Sequence, residues 1–379
     1  MSRQAAIDAA LANGARLGVA RADTAVARAQ LLSARALPNP ALAASYSKST
    51  PQYHVAVDLP IDFFWLRGAR VGAARYGQRA AQLRFVYERA SIALDADTTY
   101  TRALATRARA DLSRRTAADA DSLRRMVAAR RDAGDASDLD VELATVAAGQ
   151  LANTAASDSL THVSTVLTLQ AIIGAGADQL LVTPSDSLAT PADTTFAAGG
   201  VPLLVAAAEA SLAQARHTAR LQRRGIIGAT SLTGGFETRD PSGTGNRLLP
   251  TFGIALPLPF FDRNRGAIAE AVASSRRAEA ELTLARIESR TRITQALNER
   301  RNALSRLARD RALVTSANRL IAMSLTAYRE GASALPNVLE AQRNARDVLA
   351  QYVEDLAALW TATASLRVFA LTVPFEPTP

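Results

Sequence analysis

Two segments of this chain occur twice at one spacing, and that repetition restricts the fold more than any other feature. ARRDAGDASDLDV, residues 129–141, returns as TAYREGASALPNV, residues 326–338, so Gly134 becomes Gly331 at an offset of 197 residues. VDLPIDFFWLRG, residues 57–68, returns as ALPLPFFDRNRG, residues 255–266, at nearly the same offset of 198. A unit of half the chain is far longer than a solenoid repeat. The spacing predicts a two-fold pseudo-repeat inside one elongated protomer spanning 1–379: repeat one over 1–173, a linker over 174–202 and repeat two over 203–371.

Each repeat reads as long helices interrupted by two short strands. A first helix runs from about Gln4 to Ala36 and stops at Pro38-Asn39-Pro40, where Pro fixes φ and removes donors. The period then changes from helical to two, with Tyr53, Val55, Val57 and Leu59 alternating with His54, Ala56, Asp58 and Pro60. This predicts a β-hairpin with strands at about 41–49 and 53–60. Helices over about 66–131 and 138–173 follow, joined by a tight turn at 134–137. The proline-bearing, Thr/Ser/Asp-rich stretch 174–202 reads as the linker. Repeat two gives a helix over 203–224, strands at about 229–237 and 249–257, and helices over about 266–330 and 335–371. Heptad steps of 4 and 3 connect Ala345, Leu349, Tyr352, Leu356, Leu359, Thr363 and Leu366. Ile293, Leu297, Leu304, Leu307, Val314, Ile321, Leu325 and Tyr328 keep the same frame, so coiled-coil packing is expected. Helices of about 65 residues, or ~100 Å at the α-helical rise, suit rods better than a compact bundle.

Composition narrows the function. At 379 residues the length allows two or three domains, but 5% aromatic content and abundant Ala, Leu, Arg, Glu and Asp favour long helices. The net charge of +9 comes almost wholly from Arg, with Lys48 the one lysine. Arginine pairs such as Arg114-Arg115 and Arg300-Arg301 are interspersed with acids and never form a basic run, so a solvated helical face is expected and no nucleic-acid partner. Without cysteine there is no disulfide, thiolate nucleophile or Cys-ligated zinc. His54, His162 and His217 are far apart in unlike contexts, and Met1, Met126 and Met323 form no soft-ligand cluster. The segment PSGTGNR, residues 241–247, precedes a strand, whereas a phosphate cradle opens a helix. No catalytic, metal or cofactor site is expected, and the chain is not read as an enzyme. Arg3, Asp8 and Arg16 interrupt any leader-like apolar run, which leaves a cytoplasmic chain or one whose leader has been removed. The longest uncharged stretch, 159–177, is too polar to span a membrane as a helix.

Four strands per chain leave two open sheet edges and cannot enclose a core. Yet one alternating face is apolar, with Tyr53, Val55, Val57, Leu59, Phe252, Ile254 and Leu256. Several chains could close one membrane barrel together. A small soluble sheet on a helical bundle is the other reading, and the pattern alone leaves both open.

The chain resembles the TolC-like outer-membrane efflux channels over nearly its whole length. The resemblance rests on ALPNPAL (36–42), LPLPFFDRNRGAIAEA (256–271), YREGASALPNVLEAQ (328–342) and the internal repeat. The second of these looks most like the heavy-metal (cobalt–zinc–cadmium) efflux branch. The resemblance implies a mainly α fold with a small β part: a homotrimer whose long coiled-coil helices form an α-barrel, continued by a 12-stranded transmembrane β-barrel with four strands per chain. It implies the bacterial outer membrane with a periplasmic extension, a passive exit duct for small solutes, and a periplasmic adaptor and an inner-membrane pump as partners. Gly134, Ser137, Gly331 and Ser333 would form adaptor-contacting tips. Tyr328, Asn337 and Glu340, with Asp138, Asp140 and Glu142 in repeat one, would narrow the pore. The family commonly has an acid where this chain has Asn337, which argues against a double acidic ring. Helix-dipole stabilisation explains Asp138 and Asp140 as well. Phe63, Phe64, Trp65, Phe260 and Phe261 would lie at the lipid–water interface or fill a core at a bend, and Asp262 offers a helix N-cap. A soluble coiled-coil scaffold without channel activity is the rival class.

Overall fold

The computed structural model describes residues 1–49, 51–61, 63–176, 180–192, 200–227, 230–238 and 248–373. The glycine-rich 241–247 segment and parts of the linker lie outside the described residues. In chain order the elements are α1 (Arg3–Asn13), α2 (Ala15–Arg35), β1 (Ala41–Tyr46), β2 (Tyr53–Pro60), α3 (Phe63–Asp132), α4 (Asp138–Ile173), β3 (Val201–Pro202), α5 (Leu203–Arg224), β4 (Ser231–Thr238), β5 (Leu249–Ala255), α6 (Arg265–Arg329), α7 (Leu335–Phe369) and β6 (Thr372–Val373). They form two compact units, residues 1–18, 88–200 and 290–372 on one side of the division and 19–87, 201–289 and 373–379 on the other.

The first unit is helical. It contains α1, α4, α7 and the C-terminal parts of α3 and α6. The heptad positions of α7 are its core: Ala345, Leu356, Leu359, Thr363 and Leu366 are buried. In α6, Leu307 belongs to the expected frame, but Leu297 and Leu304 of that frame are exposed and the neighbouring Ala296 and Ala303 are buried in their place. Leu356 and Leu359 pack with Ala303 and Leu307. Thr363 fits among them because its hydroxyl donates to the Leu359 carbonyl one turn back, at 2.7 Å. The expected single helix over 4–36 is two helices. Gly14 is extended at ψ 122°, and a Cβ there would lie 2.4 Å from the Ala10 carbonyl oxygen, so the chain bends where glycine permits it.

The second unit joins most of α2, α5 and the N-terminal parts of α3 and α6 to a four-stranded antiparallel sheet. Val205 and Leu212 of α5 pack against Ala278 and Leu282 of α6. The strand order is β1-β2-β4-β5, so β1 and β5 are the edges. Three expected bounds shift. β1 ends at Tyr46 rather than near 49, β5 ends at Ala255, and α3 already begins at Phe63.

Candidate functional site

The sheet has two unlike faces. Cross-strand register pairs Leu42 with Val57, Val55 with Phe236, Leu59 with Leu232, and Leu232 with Ile254. Tyr53, Val55, Val57 and Leu59 therefore share a face with Leu42, Phe236, Phe252 and Ile254, and that face is open: Leu42 is 72% and Phe252 85% exposed. The opposite face is mostly small and polar, with Ala43, Ala56, Gly235 and Thr251 in register across the strands and Ser45, His54, Glu237 and Leu249 in another row. There the Thr233 hydroxyl donates to Asp58, and His54 Nδ1 lies 2.9 Å from Glu237 Oε1. None of the 44 lysines and arginines of the chain lies in these four strands. An apolar face this continuous, left bare, calls for lipid or another protein.

The predicted interface aromatics follow β2 and β5 at one and the same end of this sheet, where Pro60, Ser231 and Ala255 are in register. Phe63, Phe64 and Trp65 form the first turn of α3, with the Phe63 and Phe64 rings 4.3 Å apart. Phe64, Phe260 and Phe261 are exposed, whereas Phe63 and Trp65 are half-buried. Asp262 is not the N-cap of α6, which begins three residues later at Arg265. It accepts instead from the Asn264 backbone N–H at 2.8 Å. Asn264 takes the left-handed conformation, φ 57°, and its side-chain amide donates to the Gln222 carbonyl at 2.9 Å, tying the start of α6 to the end of α5. The sequence pattern offered no hint of Asn264, because its partner is distant in the chain.

In the helical unit, α3 and α6 end in the same way. Gly134 (φ 85°) donates to the Arg131 carbonyl and Asp135 to that of Arg130. Gly331 (φ 73°) donates to Tyr328 and Ala332 to Ala327. Both are Schellman turns, which need a residue that tolerates positive φ at this one place. The helices that follow start differently. Ser137 caps α4 in a capping box with Asp140: the Asp140 N–H donates to Ser137 Oγ and the Ser137 N–H donates to Asp140 Oδ2, both at 3.1 Å. At α7 the capping position is Ala334, without a side-chain cap, and Ser333 Oγ accepts from the Asn337 amide at 3.2 Å instead.

Beneath these turns Tyr328 is buried with Leu123, Val127, Ala144, Leu335 and Val338. Arg130 holds it from the other turn, donating to the Tyr328 carbonyl at 2.6 Å with its guanidinium 4.9 Å from the ring centre. Burial raises the Tyr328 phenol above its ordinary value, against the lowering effect of Arg130. Asn337, Glu340, Glu142 and Asp138 are exposed; Asp138 lies 3.6 Å from Arg131 and Glu340 3.8 Å from Arg343. Thus Asn337 and Glu340 share the open surface beside the second turn, Tyr328 supports it from within, and Asp140 belongs to the cap. Arg130 went unnoticed in the sequence, since nothing local links it to a residue 198 positions away.

Among the described residues no three His, Cys, Asp or Glu side chains gather to hold a metal ion, and no helix is long and apolar enough to cross a membrane.

Comparison with known proteins follows the same lines. Residues 203–370 match the family model described as outer membrane efflux protein. No curated protein sequence matches the chain. Among solved structures, a membrane protein from Pseudomonas aeruginosa superposes with a TM-score of 0.83 at 21% identity, covering 98% of this chain and 90% of that one. The Campylobacter jejuni CmeC outer membrane channel gives 0.79 at 16%, with 97% and 85% covered. The open state of the Neisseria gonorrhoeae MtrE outer membrane channel gives 0.76 at 17%, with 97% and 88% covered. At these identities the likeness is one of fold.

Proposed function

We propose, from the match of residues 203–370 to the outer membrane efflux protein family model, that this chain is the outer-membrane exit duct of an efflux system. The observation that carries this is the two-faced sheet with open edges at β1 and β5. Bare backbone edges are not tolerated in lipid, so β1 of one copy must pair with β5 of the next. Three copies give twelve strands, apolar outside and small and polar within, which suits a passive duct. The aromatics Phe63, Phe64, Trp65, Phe260 and Phe261 then mark the lipid–water boundary.

The turns at Gly134 and Gly331, with Ser137 and Ser333, are the surfaces offered to a periplasmic adaptor, and an inner-membrane pump supplies cargo through it. The pore is narrowed by Asn337, Glu340 and Asp138 on the open surface, with Tyr328 and Asp140 fixing the turns behind them. Three copies of Glu340 attract cations to this point. Selection of cargo, metal ions included, belongs to the pump, because the strands present few charges.

Reconstitution tests the reading. Leader-fused protein extracted in detergent should be a trimer and conduct ions across a planar bilayer. A monodisperse monomer in buffer without detergent contradicts it and favours a coiled-coil scaffold.

A further inference from the structure

The helical unit carries one three-residue arrangement in two versions. In the first, Arg109 Nε donates to Asp158 Oδ1 at 3.1 Å and the Ser113 hydroxyl donates to Asp158 Oδ2 at 2.5 Å. The second lies 197 residues further along, and there Arg306 Nε donates to Asp355 Oδ1 at 2.7 Å. Asp310 occupies the position of Ser113, one turn on from Arg306, and its carboxyl interacts with that of Asp355. Asp310 is 8% exposed and Asp355 3%, and the Oδ2 atom of each lacks a hydrogen-bond donor among the described residues. Two buried carboxylates side by side cannot both hold a negative charge at modest cost. Arg306 compensates one charge, and in the first version the other place is taken by an O–H donor.

We propose that Asp310 and Asp355 hold one proton between them, carried by Asp310, so that its O–H donates to Asp355 as the Ser113 hydroxyl donates to Asp158. The fastening of α6 to α7 in the second half of the chain is then set by protonation, and its counterpart between α3 and α4 is not. Burial, followed by the contact with Asp355, holds the Asp310 carboxyl above the ordinary carboxylate range, against the pull of Arg309 and Arg306. The charged groups around the pair are those two arginines on α6 and, on α7, Glu354, which Arg109 of α3 meets at 3.5 Å. The folded chain keeps this proton to a higher pH than the unfolded chain. Stability from the pair is therefore complete in acid and is lost as pH rises from the ordinary carboxylate value through the raised one.

Two exchanges between the versions test this on the full chain in detergent. Asp310→Ser writes the first version into the second, and Ser113→Asp does the reverse. As pH rises from the ordinary carboxylate value through neutrality, the wild-type unfolding midpoint should fall by about 2 °C more than that of Asp310→Ser, and Ser113→Asp should steepen the fall. Infrared difference spectra of the wild type should show one protonated carboxyl persisting above the ordinary carboxylate range, absent from Asp310→Ser. Equal pH dependence in wild type and Asp310→Ser, or no such carboxyl in the wild type, overturns the proposal. The infrared result decides even if a variant does not fold.

Discussion

Arg130 shows how much a single side chain contributes at the turns. Its charged hydrogen bond to the Tyr328 carbonyl and its stacking on the ring join two chain segments that local sequence does not connect. Arg130→Ala should cost about 1.5–3 kcal/mol, with Arg130→Lys recovering part of it; unchanged urea unfolding in Arg130→Ala contradicts the assignment. The two helix starts make a paired prediction. Ser137→Ala should cost about 1 kcal/mol by opening the capping box, whereas Ser333→Ala should cost less, because its partner is the exposed Asn337 amide. His217 adds a pH effect. It stacks on Tyr76 at 4.6 Å, and burial, helped by Arg220, lowers its ionisation below the ordinary imidazole value. The folded chain thus binds that proton less readily, and its stability should fall as pH drops from the ordinary value through the lowered one. His217→Gln should flatten the unfolding midpoint over that interval, and an unaltered profile contradicts this. At this scale the glycines were legible, since positive φ at a helix end nearly dictates them. Arg130, Asn264 and the Arg306–Asp310–Asp355 group were not, because their meaning depends on partners brought together by tertiary packing.

Among the elements, the helices were the most readable. Their heptads located the buried face of α7 at Ala345, Leu356, Leu359, Thr363 and Leu366, but in α6 the frame was displaced, with Leu297 and Leu304 exposed and Ala296 and Ala303 buried. The expectation failed at Gly14, where a close approach to the Ala10 carbonyl leaves no space for a side chain. It failed again at the strand ends, which a two-residue period marks only loosely. Leu359, 1% exposed among Ala303, Leu307 and Leu356, is the sharpest test of the heptad face. Leu359→Ala should cost about 2–5 kcal/mol in chemical unfolding, and a cost below 1 kcal/mol would mean this face packs loosely. Which strands would pair, and that β2 and β4 would join the two halves of the chain in one sheet, could not be read from alternation.

For the whole molecule, everything turns on what covers the bare face of the sheet. The +9 charge, placed almost wholly outside the strands, and the resemblance to efflux channels both agree with lipid there. Because the natural chain has no cysteine, single cysteines can report each face without background. Substituted one at a time in the reconstituted protein, Leu42, Val57 and Phe252 should be quenched by lipid-borne probes and shielded from water-soluble maleimide, while the exposed Ala41, Ala43 and Ser45 of the opposite face should react with the maleimide. Equal aqueous labelling of both faces would contradict the account.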